Sequence, residues 1–249
     1  MEGVGGRGKS PEVHFRRSLD ERHRNHLYGR RRGHRLRPGR QRLVDDLLPR
    51  IAATVPDDGA PVDLKRLFNK AVTRFWLEIG FGAGEHLAAQ AAAHPDVGII
   101  GCEPFVNGVA ALLARIEEGG LTNVRIRNDD ARPLLAALPE AAFERVFVLF
   151  PDPWPKTRHL KRRFIGASTL DALARLMTDG AELRFASDDM DYVRWTLDHV
   201  WRHGAFAWTA HRPGDWRHRP PDATETRYEA KAGSSGATCV HLSFRRRPR

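Results

Sequence analysis

Cysteine is nearly absent: of 249 residues only Cys102 and Cys239 are cysteines, each at the end of a separate apolar stretch. That excludes a disulfide scaffold and a thiolate zinc site as organising principles of the fold. Long apolar runs are absent too. Stretches such as Val146–Phe150 stop far short of the ~18 residues that a membrane-spanning helix needs. The N-terminal residues hold no apolar block of the kind a secretory leader carries, so a reducing, cytoplasmic setting is expected. Hydrophobic residues still make up 41% of the chain, enough for one core of ordinary size without metal or disulfide support.

Acids are the scarcer charge, 31 against 41 Lys and Arg, for a formal net charge of +10. Residues 1–44 alone hold 13 cations and four acids, so most of the excess sits there. Lys156, Arg158, Lys161, Arg162 and Arg163 form a second cluster, and Arg245, Arg246, Arg247 and Arg249 a third. Such clusters attract polyanions, and the planar fork of arginine suits phosphate. Within Tyr28–Arg42, seven arginines are interleaved with an aromatic residue and turn formers, a composition that points to nucleic-acid contact. Residues 1–42 carry no sustained apolar period and are expected to be a flexible basic arm. The remainder, 43–249, is expected to be a single domain.

Leu43, Leu47, Leu48 and Ile51 lie at helical spacing, and the Pro56–Pro61 stretch then breaks the pattern. From Phe75 onward strand-like and helix-like segments alternate. Strands are predicted over Phe75–Ile79, Gly98–Glu103, Val124–Asn128, Arg145–Phe150 and Glu182–Ala186, with helices between them. Two further strands are predicted near Phe206–Thr209 and Cys239–Phe244. The alternation implies a doubly wound α/β sheet of Rossmann-like type, with ligands bound beyond the carboxyl ends of the strands. Trp195 and Trp201, near helical spacing with Leu197, are read as core. The stretch Arg212–Ala237 is too long for an ordinary connection, and loops of that length are commonly functional.

After the first strand comes LEIGFGAGEH, with Glu78 followed by Gly80, Gly82 and Gly84. Glycines there let the chain turn tightly and approach a ligand at a helix N-terminus. The dinucleotide fingerprint places its third glycine where this chain has Glu85, so a diphosphate would meet an acid. An acid at Glu78 suits an amine-bearing or cationic ligand, such as the sulfonium cofactor S-adenosylmethionine. Glu103, at the end of the second strand, is placed to accept from ribose hydroxyls. Asp130 and Ala131, after the third strand, fall where an adenine ring would lie. After the fourth strand comes FPDPWPKTRHLKRR, whose prolines at 151, 153 and 155 stiffen the backbone and hold Asp152 and Trp154 on a rigid loop. Trp154 fits either a stacking platform for an extruded base or a plug beneath that loop.

Taken in order, GFGAGEH, GCE, DDA, FPDPWPKTRHLKRR, FASDD and TRYE resemble the tRNA (guanine-N7-)-methyltransferase family of bacterial type, over Phe75–Glu229. The resemblance implies a Rossmann-like S-adenosylmethionine-dependent methyltransferase acting on N7 of a guanine in the tRNA variable loop. It assigns cofactor binding to Glu78, Glu103, Asp130 and Asp152, and makes Asp152 the catalytic residue. Lys156 and Asp188 would bind substrate. Arg158, His159, Leu160, Lys161, Arg162 and Arg163 would contact RNA, and Thr226, Arg227, Tyr228 and Glu229 would close over the target nucleotide. Leu160 stands where the family commonly has a polar residue, and Pro104 follows the ribose-binding acid. No metal and no obligate protein partner are expected. Asp188, Asp189 and Asp191 pass directly into a helix, where acids favour the N-terminal dipole. Methylation of an exocyclic amine and a catalytically silent RNA-binding role stand as alternatives.

Overall fold

The computed structural model describes residues 29–68, 72–234 and 236–249. Residues 1–28, and with them most of the expected arm and its Tyr28, lie outside the described residues. The rest of the arm is not separate from the domain. Helix α1 runs over Pro38–Asp46, five residues earlier than the apolar spacing announces, because proline at its first position is already set for helical backbone. The Arg40 guanidinium donates to the Ala110 and Ala111 carbonyls, and Arg42 pairs with Glu117 at 2.7 Å. A single 3-10 turn over Leu48–Ile51 and the short helix α2, Leu64–Leu67, follow.

The remaining elements are β1 (Arg74–Ile79), α3 (Glu85–Ala93), β2 (Val97–Cys102), α4 (Val106–Gly119), β3 (Val124–Arg127), α5 (Ala131–Ala137) and β4 (Phe143–Leu149). They are followed by α6 (Ala167–Leu176), β5 (Met177–Ser187), α7 (Met190–His203), β6 (Phe206–Trp208), α8 (Gly214–Arg217), α9 (Arg227–Ser234) and β7 (Val240–Arg246). The strands form one sheet in the order β3-β2-β1-β4-β5-β7-β6. Strands β1 to β5 are parallel, and β7 inserts antiparallel between β5 and β6. This is the doubly wound α/β sheet read from the alternation, closed at one edge by an antiparallel strand. Strand β5 starts at Met177, earlier than predicted, because Met177 pairs with Phe143 before an irregularity in the register.

Side chains alternate between sheet faces. Leu77, Ile79, Val146 and Val148 pack with Leu134, Leu170, Leu173 and Tyr192 on one face. Trp76 and Phe147 pack with Leu87, Val109, Leu112 and Leu113 on the other. Trp195 joins the first core, its indole N–H donating to the Ile165 carbonyl at 2.6 Å. Trp201 does not: it is 87% exposed, because the apolar stripe of α7 is satisfied by Tyr192, Val193 and Val200. The chain reverses its order of strands between β1 and β4, and in such sheets the crevice beyond that switch point receives the ligand.

Candidate active site

The turn after β1 takes positive φ at Gly80, Gly82 and Gly84, a region that side chains rarely enter. It is braced from below. The Gly82 amide donates to Glu103 Oε2 at 2.9 Å, and the Phe105 amide donates to Oε1 at 2.9 Å. An ionised carboxylate offers about four lone-pair sites, so two remain for a ligand. Burial pushes the Glu103 carboxyl above the usual range, the Phe105 and Gly82 amides work against that, and Asp152 adds to it. Helix α4 meets the turn so closely that a Cβ on Gly108 would stand 2.2 Å from the Gly82 carbonyl oxygen.

Asp130 caps α5, accepting from the Arg132 amide at 2.9 Å, and Ala131 opens that helix. The loop after β4 carries Asp152 between two non-glycine residues at positive φ, Phe150 at 50° and Trp154 at 44°. Such backbone costs roughly 1–3 kcal/mol per residue and persists where the surroundings over-determine it. Arg163 is one such determinant: its Nε donates to the Pro153 carbonyl at 2.7 Å. The Asp152 carboxylate is reached by solvent through the cavity, yet the protein around it raises its pKa by desolvation.

These turns surround a cavity of about 870 Å³ lined by Gly80, Gly82, Glu103, Asp130, Ala131 and Asp152 together with Phe105, Trp154, Arg162, Arg227 and Tyr228. Six expected cofactor-site residues are thus gathered at one place. Glu78 is not among the lining residues. It lies on the Trp76 face of β1, 2% exposed, with Oε2 2.7 Å from Nδ1 of His86.

The basic run after the loop divides. Thr157–Arg162 forms a 3-10 turn that leaves Lys156, Arg158 and Lys161 exposed and His159 and Leu160 half-buried. Arg162 lies 5.0 Å over the Trp154 ring, and His159 meets its edge at 5.9 Å. Burial, and then Arg162, Arg158 and Lys156, lower the pKa of His159. Arg163, expected against RNA, is instead turned inward at 5% exposure, its guanidinium 4.8 Å from the Tyr192 ring and 5.2 Å from that of Trp195. The reason is local: the carbonyls of Pro153 and Asp191 accept from that cation and two aromatic faces pack against it.

Asp188 is exposed just past β5, while Asp189 caps α7 through the Tyr192 amide and Asp191 pairs with Arg194. Thr226 accepts from the Glu229 amide and starts α9. Arg227 and Tyr228 line the cavity, with the Tyr228 ring beside Gly82. Burial, then Glu103 and Asp152, raise the Tyr228 pKa. Glu229 points elsewhere, to Arg219 at 3.2 Å and His241 at 3.6 Å.

Sequence reasoning missed the wall made by residues 29–34. Gly29 and Arg30 line the cavity, the Val106 amide donates to the Arg31 carbonyl, and Arg31 pairs with Asp129 at 2.7 Å. Asn107 holds this strap from both sides, accepting from the Gly33 amide and donating to the His34 carbonyl. Nothing in the spacing of these residues announces contacts across more than 70 positions.

A doubly wound sheet with an acid-floored cavity at the β1/β4 switch point places the chain in the Rossmann-like class of α/β proteins. The profile of a family described as "Putative methyltransferase" matches residues 73–242. The tRNA (guanine-N(7)-)-methyltransferase of Rhodospirillum rubrum is 57% identical over 227 residues, 90% of this chain and 88% of that one. Those of Rhodopseudomonas palustris and Roseobacter denitrificans are 46% and 47% identical, covering 96% and 89% of this chain and 93% and 96% of theirs. The chain belongs to the tRNA (guanine-N(7)-)-methyltransferase family. In fold it is similar to the 16S rRNA methyltransferase KamB, with a TM-score of 0.53 and 16% identity over 73% of this chain and 95% of that one.

Proposed function

We propose that the protein transfers a methyl group from S-adenosylmethionine to N7 of a guanine in the variable loop of tRNA. One observation carries the reading: the braced glycine turn, Glu103, Asp130 and the strained Asp152 loop face one cavity that Trp154 and Arg162 also line, and the same loop goes on to carry the exposed cations Lys156, Arg158 and Lys161.

The donor set fits the cofactor. Gly80 and Gly82 offer close backbone approach, Glu103 has acceptor sites left for ribose hydroxyls, and Ala131 leaves room beside Asp130 for a flat base. Glu103, Asp130 and Asp152 together favour a cation over a diphosphate. When bound, S-adenosylmethionine supplies a methyl group on a positively charged sulfur. The residues of this chain do the rest. N7 of guanine carries a lone pair and no proton, so no base has to deprotonate it, and positioning with electrostatics dominates. Asp152 accepts from the guanine N1–H and exocyclic amine as positive charge grows on the ring, and Asp188 is the second carboxylate available for that task. Such an acceptor leaves adenine unpaired and so rejects it. Lys156, Arg158 and Lys161 hold RNA phosphates, with His159, Leu160 and Arg162 beside them. Arg163 shapes the loop instead. Tyr228 and Arg227 close the cavity, and the basic N-terminal residues add cations to the domain. Among the described residues no helix is long and apolar enough to cross a membrane. The enzyme is proposed to act in the cytoplasm without an obligate protein partner.

The test is transfer of labelled methyl from S-adenosylmethionine to bulk tRNA by the purified chain, followed by borohydride and aniline cleavage. A cut at the variable-loop guanine is expected. Label without a cut would point to an exocyclic amine, and cofactor binding without label would favour a silent RNA-binding protein.

A further inference from the structure

Residues 218–226 join α8 to α9 without helix or strand, yet one residue in this connection is held by three elements of the domain. The Asp222 carboxylate accepts from both terminal nitrogens of Arg184 on β5, at 2.8 and 2.9 Å, and from Nη1 of Arg145 on β4 at 2.9 Å. Its backbone carbonyl accepts from Nε2 of the buried Gln90 on α3 at 2.6 Å. The two guanidinium groups are themselves fixed. Arg145 lies 4.7 Å over the Trp76 ring, Arg184 5.8 Å over Phe147, and Glu182 pairs with both.

An exposed ion pair would contribute little, and the Asp222 side chain is 38% exposed. The exception to that rule is the bidentate arginine within a network, which is the geometry present. Burial alone would raise the Asp222 pKa, but Arg184 and then Arg145 hold it down at about 2. Four residues further on the chain reaches Thr226, a distance of at most about 14 Å for an extended peptide. Thereafter Arg227 and Tyr228 enter the cavity wall, and a Cβ at Gly82 would lie 2.9 Å from the Tyr228 ring. On the far side, Glu229 is tied to Arg219 and to His241 of β7.

We propose that Asp222 is the positioning residue of the closing segment, fixing through Arg184 and Arg145 where Arg227 and Tyr228 meet the target nucleotide. The proposal rests on the methyl-transfer reading above. It places no part of the chemistry on Asp222. The cofactor end of the cavity is built by the turns after β1, β2 and β3, so the clamp governs the RNA end.

Asp222→Asn keeps the shape and removes the charge. The expected result is a fall in kcat/KM for tRNA of roughly 10- to 100-fold at saturating cofactor, the scale on which small misplacements act. Cofactor affinity by calorimetry is expected to stay within about threefold, because Asp222, Arg184, Arg145 and Gln90 neither line the cavity nor bond to Glu103. Amides of 223–232 should exchange faster with solvent while those of β4 and β5 do not. Arg184→Gln should reproduce the loss, the double variant should be no worse than the poorer single one, and Arg145→Lys, which spares the bidentate pair, should lose less. A kcat/KM within twofold of wild type would overturn the proposal. So would a loss that cofactor affinity and Tm share equally, since that marks general destabilisation. If the wild-type chain moved no methyl to tRNA, the methyl-transfer reading would fail. Asp222 would then be judged on exchange alone, with unchanged exchange at 223–232 overturning its role.

Discussion

The Glu103 carboxylate and the Gly82 amide are joined by a 2.9 Å hydrogen bond that ties the end of β2 to the glycine turn after β1. Glu103 therefore shapes the turn, and in the proposed reading its remaining lone pairs take the ligand. Glu103→Gln keeps the volume but leaves only one accepting atom, so either Gly82 or Phe105 loses its partner. Hydrogen bonds to charged groups contribute about 1.5–3 kcal/mol. Cofactor affinity is expected to weaken roughly 10- to 100-fold by calorimetry. Affinity within twofold of wild type would mean that Glu103 does not hold the ligand.

Asp152 sets a pH dependence whose sign follows from its surroundings. Desolvation favours the neutral acid, so the proton leaves at a higher pH than from an ordinary carboxyl. In the proposed mechanism the ionised form is the hydrogen-bond acceptor for guanine. kcat/KM is thus expected to fall on the acid side, starting at a higher pH than an ordinary carboxylate gives, and to recover as pH rises through the raised pKa. Asp152→Asn should abolish that limb and lower kcat by roughly 10²- to 10³-fold. An acid limb that survives in the variant would assign the titration to another group.

Much of this was legible in the sequence because it sits where strands end. Glu103, Asp130 and Asp152 each lie within three residues of a strand's carboxyl end, and a parallel sheet brings such ends together whatever the details of packing. What was not legible depends on which way a side chain turns. Glu78 ends a strand too, but strand alternation puts it with Trp76, against His86. Arg163 belongs to a run of five cations in sequence, and only the aromatic faces of Tyr192 and Trp195 distinguish it from Lys161. The clamp of Asp222 on Arg145 and Arg184 spans 77 and 38 positions, and no local pattern announces it.

That division of the basic run is itself testable. Lys161 is exposed, so Lys161→Ala should leave Tm unchanged and weaken RNA binding, lowering the slope of log affinity against log salt by about one. Arg163→Ala should do the reverse. It deprives the Pro153 carbonyl of its donor and leaves a hole between two rings, at a cost of about 2–4 kcal/mol. Its salt slope should match wild type, and kcat should fall as the Asp152 loop relaxes. A reduced salt slope without loss of stability in Arg163→Ala would show that the residue faces RNA after all.

Glycine positions separate backbone strain from close packing. Gly80 has φ of 73° with no atom within 4 Å of an added Cβ, so Gly80→Ala meets only the left-handed penalty of about 1–2 kcal/mol. Gly108 is the opposite case. An added Cβ would stand 2.2 Å from the Gly82 carbonyl oxygen, a backbone atom that cannot swing aside. Gly108→Ala must push the turn away from α4, and with it the amide bonded to Glu103, so cofactor affinity should fall more than roughly tenfold beside a stability loss of about 1–3 kcal/mol. Gly39, in α1 with open space around it, serves as the control: Gly39→Ala should raise stability by up to about 1 kcal/mol and leave affinity alone. Thermal unfolding and calorimetry on the three variants decide the matter. If Gly80→Ala lost more affinity than Gly108→Ala, freedom of the turn rather than its bracing by α4 would be what holds the cofactor site in shape.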